Sequence, residues 1–399
     1  MISRFFPLLL SLLIYACGSD ATPTTEATVV EHTEEVAGFR ANPQALEKRE
    51  VPTIAVGEKA PDFELPGSDG EMHRLADYSD AEIIVLAFTS NHCPTAQAYE
   101  QRLIDFQRDY QDKGVQLIAI SPNSPLGLLY EELGYTDLND DYDVMEERAE
   151  YAGFNFPYLY DGDDHRTSLA YGPVATPHLF ILDQERVVRY TGRIDRSEKP
   201  GSAHAEDLRA ATDALLAGNP VPEPTTKTFG CSTKWSWKTE YNEQARETWE
   251  ARPVTLETAD VAKIKELVAN EGGDKLRLIN VWATWCGPCV LEYPEFLVLQ
   301  RMYGARDFEF ISVSADKPAA EERALAFLEK VHSGVPNYLF AGKDIYELVE
   351  AIDPDWNGAL PYTLLVAPDG EVVYRHQAEV DFLELKRAIV EHEMMGRVY

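Results

Sequence analysis

Basic residues, cysteines and long apolar runs are all scarce in this sequence. Its 399 residues include 36 lysines and arginines against 68 aspartates and glutamates, which gives a formal net charge of −32. Because no basic patch survives such an excess of carboxylates, nucleic acid is excluded as a partner. No internal stretch approaches the ~20 apolar residues that cross a bilayer, so the body of the chain carries no predicted transmembrane helix.

Cysteines number only five, and their spacing argues against a metal site. They are Cys17, Cys93, Cys231, Cys286 and Cys289. Only the last two form a CxxC, and neither a second CxxC nor an HxxxH supplies the remaining ligands of a tetrahedral zinc site. We therefore expect no metal and no cofactor, and the close pair is either a redox pair or a structural disulfide.

The first seventeen residues, 1–17, are typical of an export signal. A single Arg4 precedes an apolar run, residues 5–14, that is too short to span a membrane. The run ends in "IYAC", which resembles the lipobox of bacterial lipoproteins and implies that Cys17 is diacylated; an ordinary secreted protein is the alternative. We expect a lipid-anchored protein of the cell envelope that faces the periplasm or the exterior, with residues 18–50 as a flexible tether.

Regular structure is predicted twice, in the same order. The apolar runs "EIIVLAFTS" and "LRLINVWATW" have strand length, and each is followed closely by a cysteine and a helical pattern. Strands that alternate with helices predict two α/β domains in tandem, each with a central mixed sheet flanked by helices. We assign them to residues 51–218 and 252–399. A proline-rich stretch opens the intervening linker, 219–251, which carries Cys231, and an acidic insertion occupies 122–142.

The CxxC directly follows the strand that is predicted to begin the second domain's sheet. In the first turn of the next helix, the Cys286 sulfur would face unsatisfied N–H groups and the positive end of the helix dipole. This environment favours the thiolate and lowers a thiol pKa from ~8.5 toward neutrality. Cys289, one turn further along, is placed to attack a mixed disulfide from within the same chain. The residues alone thus favour a reactive pair.

The string "VWATWCGPCVLEYP" resembles the active site of thioredoxin-fold proteins, in particular the TlpA/ResA class of membrane-tethered thiol-disulfide oxidoreductases. The resemblance extends from Arg252 to the end of the sequence. It implies that Cys286 is the attacking thiol and Cys289 the resolving one. It also implies that Glu292 tunes both cysteines, with a solvated helix carboxylate as the alternative. Protein thiols and disulfides are the implied substrates, and a membrane electron donor is an implied partner.

Five further positions take their expected roles from the same resemblance. Leu360 and Pro361 correspond to the cis-proline loop where substrate backbone docks, and a cis bond of this kind is largely restricted to proline. Trp285 is expected to belong to the same substrate-binding surface. Pro294 corresponds to the kink of the active-site helix. Asn280 stands where cytoplasmic thioredoxins carry a buried aspartate, and an amide cannot accept a proton there.

The first domain lacks a CxxC. Its "AFTSNHCPTAQAYEQRL" resembles the peroxiredoxin-like (AhpC/TSA-type) members of the thioredoxin superfamily, which commonly carry Cys-Asn-His-Cys-Pro; here Ser90 replaces the first cysteine. The same family tends to end in Gly-Cys-x-x-Lys-Trp, which matches residues 230–235. The resemblance therefore implies that Cys93 and Cys231 can form a disulfide. The alternative is a packed thiol at Cys93 and an exposed thiol at Cys231.

Other residues of the first domain are candidates for supporting Cys93. Thr176 and Pro177 are its candidate cis-proline pair and, by the same resemblance, part of its substrate-binding surface. His92 is a candidate for polarising the thiol, with a surface histidine as an equal alternative. A peroxidase also needs a guanidinium group, for which the sequence offers three candidates: Arg166, Arg189 and Arg193.

Three functions remain open. The first is an extracytoplasmic thiol-disulfide oxidoreductase, chiefly a disulfide reductase, that works through Cys286 and Cys289. The second is a fused thiol peroxidase and reductant, in which Cys93 and Cys231 reduce peroxide and are recycled by the CxxC pair. The third treats the first domain as a non-catalytic module that binds client proteins.

Overall fold

The computed structural model describes residues 39–396, and two α/β domains follow one another within that range. The predicted signal peptide, Cys17 and residues 18–38 of the predicted tether lie outside the described residues. Within the described range, no helix combines the length and the apolar character that a bilayer crossing requires.

The first domain begins with a short hairpin and then alternates strands with helices. Its elements are β1 (Glu64–Pro66), β2 (Met72–Arg74), β3 (Ile83–Phe88), α1 (Pro94–Tyr110), β4 (Val115–Ser121), α2 (Met145–Ala152), β5 (Tyr158–Tyr160), α3 (Arg166–Tyr171), β6 (Ala175–Thr176), β7 (His178–Leu182), β8 (Val188–Gly192), α4 (Glu206–Leu216) and β9 (Cys231–Ser232). The helix α5 (Thr239–Glu250) connects this domain to the next.

The second domain repeats the alternation of strands and helices. Its elements are β10 (Glu257–Ala259), α6 (Val261–Ala269), β11 (Leu276–Trp282), α7 (Gly287–Tyr303), β12 (Phe308–Ser314), α8 (Glu321–Lys330), β13 (Asn337–Phe340), α9 (Ile345–Ile352), β14 (Tyr362–Val366), β15 (Val372–Gln377) and α10 (Phe382–Val390).

The central sheets of the two domains share one topology. Their strand orders are β5-β4-β3-β7-β8 and β13-β12-β11-β14-β15, and β10 extends the second sheet at one edge. In each sheet the strand that leads to the cysteine, β3 or β11, is parallel to one neighbour and antiparallel to the other. The predicted fold class, two thioredoxin-like α/β domains with central mixed sheets flanked by helices, is confirmed.

The strand β3 shows why an uninterrupted apolar run forms the centre of such a sheet. All six of its residues are buried, because helices cover both faces of the sheet and neither face meets water. Its side chains alternate between two cores: Val85 packs with Phe106 of α1 on one face, and Leu86 packs with Tyr171 of α3 on the other.

Parts of the predicted flexible tether and of the predicted linker are folded against the first domain. In the predicted tether, the ring of Phe39 lies 4.9 Å from that of Tyr142. In the predicted linker 219–251, β9 pairs with β6, and the N–H of Thr226 donates to the carbonyl of Thr191 over 3.1 Å. Because aromatic packing and backbone pairing hold these residues, residues 39–50 and much of the linker belong to the domain.

The acidic insertion 122–142 forms one part of the contact between the two domains, and α2 forms another through Glu147, which pairs with Arg387. Leu133 of the insertion is buried in the same core cluster as Met302, near the end of α7. The hydroxyl of Tyr303 donates to the carbonyl of Thr136 over 2.7 Å, and Arg301 pairs with Glu131 at 2.9 Å. The C-terminal end of α7 therefore packs against the first domain.

Candidate active sites

The first candidate site is the corner between β11 and α7, where the sequence places the CxxC. Cys286 is the N-cap of α7, and its sulfur accepts a hydrogen bond from the backbone N–H of Cys289 over 3.3 Å. The two cysteines form a disulfide with their Cα atoms 5.3 Å apart. Cys289 is fully buried whereas Cys286 is 6% exposed, so an incoming thiolate meets Cys286 first.

The predicted cis-proline loop lies beside this disulfide. Strands β11 and β14 are antiparallel, and Val281 pairs with Tyr362, which sets Pro361 next to the loop that leads to Cys286. The Leu360–Pro361 bond is cis, as predicted. Trp285 is 65% exposed, and its indole offers an apolar surface at the mouth of the site. Roles for these residues in substrate binding stay predictions.

Glu292 is a buried carboxyl group behind the disulfide and is not a solvated helix residue. It is 5% exposed, and its Oε2 accepts a hydrogen bond from the N–H of Val380 over 3.1 Å. Its Oε1 has no hydrogen-bond partner among the described residues. Burial raises the pKa of Glu292 to about 7, although the N–H of Val380 and the nearby Asn280 amide favour the charged form. The group can therefore take up and release a proton near neutral pH.

Sequence reasoning missed Asp316, which fixes the loop before Cys286. Its carboxylate accepts hydrogen bonds from both the N–H and the hydroxyl of Thr284, over 2.8 and 2.7 Å. Asp316 follows β12 and is almost fully buried. A sequence signal could have revealed Asp316. It is a polar residue just after a buried strand, at the sheet edge that carries the cysteine.

The second candidate site is the equivalent corner between β3 and α1. Cys93 is the N-cap of α1, and its sulfur accepts a hydrogen bond from the N–H of Ala96 over 3.4 Å. As a thiol, Cys93 donates to the carbonyl of Thr176, 3.2 Å away. The Thr176–Pro177 bond is cis, as predicted. The side chain of Cys93 is completely buried.

Cys231 lies beside Cys93, although 138 positions separate them in the sequence. The two-residue strands β6 and β9 are antiparallel and pair Thr176 with Cys231, which brings the Cys231 thiol within hydrogen-bonding reach of the Cys93 sulfur. Both cysteines are free thiols. The structure thus brings together the two residues for which a disulfide is predicted, in their reduced form.

A buried ion pair supplies positive charge next to Cys93. His92 and Asp140 are each 1% exposed or less; the Asp140 carboxylate accepts from the imidazole, from the N–H of His92 over 2.9 Å and from the amide of Asn123 over 2.7 Å. Burial opposes charging, yet the carboxylate raises the pKa of His92. The alternative of a surface histidine is therefore wrong, and Asp140 in the insertion was not foreseen.

These neighbours decide which thiol of the first domain's site ionises. Burial by itself would raise the pKa of Cys93, but the hydrogen bond from Cys231, the charge of His92 and the N–H of Ala96 together lower it to about 6. The same hydrogen bond to Cys93, with burial, raises the pKa of Cys231. Cys93 is therefore the more acidic thiol of the pair and ionises before Cys231.

The three candidate arginines are engaged elsewhere. They form ion pairs with the aspartates of their own surroundings: Arg166 with Asp164, Arg189 with Asp183 and Arg193 with Asp207. Among the contacts of the described residues, none joins these guanidinium groups to Cys93. A buried lysine occupies the neighbourhood instead. Lys234, 4% exposed, pairs with Glu132, and its charge acts on Cys231 and His92.

The two sites lie at opposite ends of α7. Cys286 caps the N-terminal end of this helix, whose 17 residues span about 25 Å. At the other end, Tyr303 contacts Thr136, and the Thr136 hydroxyl lies 3.5 Å from the carbonyl of Asn91, two residues before Cys93. Within residues 39–396, no cluster of three or more His, Cys, Asp or Glu side chains has the arrangement of a metal site.

Comparison with known proteins agrees with this division into two domains. Residues 56–191 match the AhpC/TSA family and residues 251–389 match the redoxin family. The chain is 29% identical over 140 residues to the thiol-disulfide oxidoreductase ResA of Geobacillus thermodenitrificans, a match that covers 35% of this chain and 70% of that protein.

Further similarity extends to a peroxiredoxin and to a solved structure. The chain is 28% identical over 148 residues to a protein of Mycobacterium tuberculosis named as a peroxiredoxin, over 37% of this chain and 82% of that one. A crystal structure of a Sinorhizobium meliloti protein shares 32% identity and a TM-score of 0.41, and covers 47% of this chain and 98% of that one. The chain is thus an oxidoreductase that carries two domains in tandem, an AhpC/TSA family domain followed by a redoxin family domain.

Proposed function

We propose that the second domain is a disulfide reductase of the cell envelope, anchored through a lipid on Cys17 and supplied with electrons by a membrane donor. The observation that carries the proposal is the Cys286–Cys289 disulfide at the N-terminal end of α7. The relatives named ResA are thiol-disulfide oxidoreductases, which supports the same chemistry here.

The proposed reaction gives a step to each group of the site. After reduction, the thiolate of Cys286 attacks a substrate disulfide docked along the Pro361 loop, and one substrate thiolate leaves. Cys289 then attacks Cys286, which closes the disulfide again and releases the second substrate thiol. Cys289 must lose a proton for this step, and Glu292 is the neighbouring buried group with a pKa near 7.

Reduction of insulin disulfides by the full chain, with a chemical dithiol as electron source, tests the proposal. Replacement Cys286→Ser is expected to reduce the rate to that of the dithiol alone. Cys93→Ser is the matched control, since it removes a helix-capping thiol from the other domain and is expected to leave the rate within about twofold. Reduction that survives Cys286→Ser would refute the role of this pair. Mass spectrometry of the mature protein tests the lipid on Cys17.

A second function is favoured by the contact between Cys93 and Cys231. The Cys93 thiolate would attack one oxygen of a peroxide, so that the O–O bond breaks and Cys93 becomes a sulfenic acid, while hydroxide or an alkoxide leaves and takes up a proton from solvent. The Cys231 thiol would then displace water from that sulfenic acid and form the Cys93–Cys231 disulfide. Because β9 already occupies the edge beside Pro177, the contact favours this function over a client-binding module.

Single-turnover oxidation separates the two functions. In a Cys286→Ser/Cys289→Ser variant, one equivalent of hydrogen peroxide is expected to consume the Cys93 and Cys231 thiols together and to yield one disulfide. Adding Cys93→Ser should abolish the reaction with peroxide, whereas adding Cys231→Ser should leave a sulfenic acid that a dimedone probe traps. Unchanged thiols after exposure to peroxide would exclude a peroxidase.

A further inference from the structure

We propose that electrons enter the first domain through Cys231, and that they come from the Cys286/Cys289 dithiol of a second copy of this chain. The inference rests on the second candidate function, because that function produces the Cys93–Cys231 disulfide to be reduced. Three observations carry it: the strand that covers the docking edge, the unequal access to the two sulfurs, and the separation of the two sites within one chain.

The docking edge of the first domain is occupied by the chain itself. Strand β9 pairs antiparallel with β6, directly before the cis Pro177. The approach is so close that a Cβ on Gly230, whose φ is +138°, would lie 2.1 Å from the carbonyl oxygen of Thr176. At the equivalent edge of the second domain, Ala359 and Leu360 pair with no strand of the described residues. Cys231 thus sits where a substrate cysteine would dock.

Access to the two sulfurs of the first domain's site is unequal. Cys93 is fully buried, whereas Cys231 is only half-buried, so an external thiolate reaches Cys231 more readily than Cys93. The leaving group favours the same direction of attack, because a sulfur that is stable as an anion leaves faster. Cys93 is that sulfur, since the N–H of Ala96 and the charged His92 both stabilise its thiolate.

The donor dithiol of the same chain is too far away. The insertion reaches Arg387 of α10 through Asp137, and two contact routes from the first domain's site end on the last turn of α7. One runs from Cys231 through Lys234 to the acidic pair Glu131 and Glu132, which meets Arg301; the other runs through Thr136 to Tyr303. Cys286 lies at the opposite end of that helix, about 25 Å away, so a second molecule must deliver its dithiol.

The exchange balances as two thiolate attacks. The Cys286 thiolate of the donor chain attacks Cys231, the Cys93–Cys231 bond breaks, and Cys93 leaves as a thiolate with the electron pair. Cys289 of the donor then attacks Cys286, which breaks the intermolecular bond and forms the Cys286–Cys289 disulfide. Of the two protons that the donor dithiol loses, one goes to Cys231 and the other to solvent.

A Cys289→Ser variant stops the exchange after its first step. The full chain, with Cys17→Ser to remove the remaining cysteine, is reduced and then treated with one equivalent of hydrogen peroxide. We expect a disulfide-linked dimer on a non-reducing gel, and a peptide map in which Cys286 of one chain is joined to Cys231 of the other. If the Cys286–Cys231 disulfide forms within a single chain, so that the protein runs as a monomer, transfer between chains is refuted. A bond from Cys286 to Cys93 would refute entry through Cys231.

Two control variants separate this inference from the function on which it rests. Adding Cys231→Ser to the Cys289→Ser chain should remove the Cys286–Cys231 dimer, and a dimer of unchanged yield would overturn the assignment. In the Cys286→Ser/Cys289→Ser chain, peroxide should still close the Cys93–Cys231 disulfide. If the Cys93–Cys231 disulfide forms but reduced Cys286 never attacks it, only the inference fails. If the Cys93–Cys231 disulfide never forms, the peroxidase function fails and the inference fails with it.

Discussion

The two cysteine corners, the first at Cys93 in the first domain and the second at Cys286 in the second domain, share a backbone geometry. They differ in where the second sulfur comes from. Cys93 and Cys286 both cap a 17-residue helix that follows a buried strand, and each accepts a hydrogen bond from the N–H three residues on. That third residue is Cys289 in one domain and Ala96 in the other. One fold therefore activates a thiol in the same way twice, while its partner comes either from the next helical turn or from a remote strand.

The surroundings of the two sulfurs differ in charge and in access. Cys93 has the buried His92–Asp140 pair on one side and β9 over it, whereas the Cys286 corner has a buried carboxyl group of raised pKa behind it and the exposed Trp285 in front. An open corner suits substrates as large as proteins, and a covered corner suits a small oxidant. The two corners thus share a helix N-terminus and differ in the neighbouring segment, which we expect to select the substrate.

The largest expected effect is a change in the disulfide partner of Cys93, produced by placing a cysteine three residues after it, as Cys289 follows Cys286. Ala96→Cys places a thiol one helical turn after Cys93, in the position that Cys289 occupies after Cys286. We expect oxidation to join Cys93 to this introduced thiol and to leave Cys231 free, as peptide mapping would report. Ala96→Ser is the matched control and should retain the Cys93–Cys231 disulfide. Exclusive Cys93–Cys231 pairing in the Ala96→Cys variant would show that the two corners are not equivalent.

Local sequence was enough to predict the cysteines, strand and helix of the second corner, although not Asp316, and it was not enough for the first corner. The CxxC, its strand and its helix lie within a few residues, so hydrophobic periodicity and cysteine spacing locate them. Asp140 reaches His92 from 48 positions away, out of an insertion without periodicity, and Lys234 reaches the site from a segment that reads as a linker. The arginines failed as candidates because sequence cannot reveal that nearby aspartates already pair with them.

The next effect concerns the buried carboxyl group of the second corner. A glutamate with a folded-state pKa of about 7, raised from 4.5, keeps its proton in the folded protein while the unfolded chain has lost it. The free energy of unfolding therefore falls as pH rises from 4.5 to 7, by at most about 3 kcal/mol. Glu292→Gln removes this penalty and is expected to raise Tm above pH 7 but not at pH 4.

Thermal unfolding at several pH values measures this effect, and the exposed Glu295 of the same helix provides the matched control. Glu295→Gln should leave the pH profile of the wild type unchanged. Glu292→Gln should also slow disulfide reduction by about tenfold at neutral pH, without a change in KM, because the amide cannot accept the proton of Cys289. Equal stability of Glu292→Gln and wild type at pH 8 would contradict the raised pKa of the buried carboxyl group.

The charge at the first corner predicts a smaller effect. Asp140→Asn removes the carboxylate that keeps His92 protonated, so the pKa of Cys93 should rise from about 6 by about two units. At pH 7 the thiolate fraction, and with it the rate of alkylation by iodoacetamide, should then fall about tenfold. Alkylation of reduced Cys286 in the same molecule is the internal control and should not change. If the alkylation rate of Cys93 keeps its wild-type pH dependence in this variant, the His92–Asp140 ion pair does not control the pKa of Cys93.

The smallest expected effect tests whether the two corners are coupled through α7. Tyr303→Phe deletes the hydroxyl that donates to the carbonyl of Thr136, and one such hydrogen bond contributes about 1 kcal/mol to the free energy of unfolding. Tyr293→Phe, whose hydroxyl bonds only within the second domain, is the matched control. Hydrogen exchange should show faster opening of the 122–142 insertion in the first variant and not in the second. The insertion also holds the segment that carries Cys231, because its Glu132 pairs with Lys234. The same variant should therefore raise the alkylation rate of Cys231 while leaving insulin reduction at Cys286 unchanged. Equal rates for Cys231 in both variants would mean that the covered corner does not depend on the neighbouring domain.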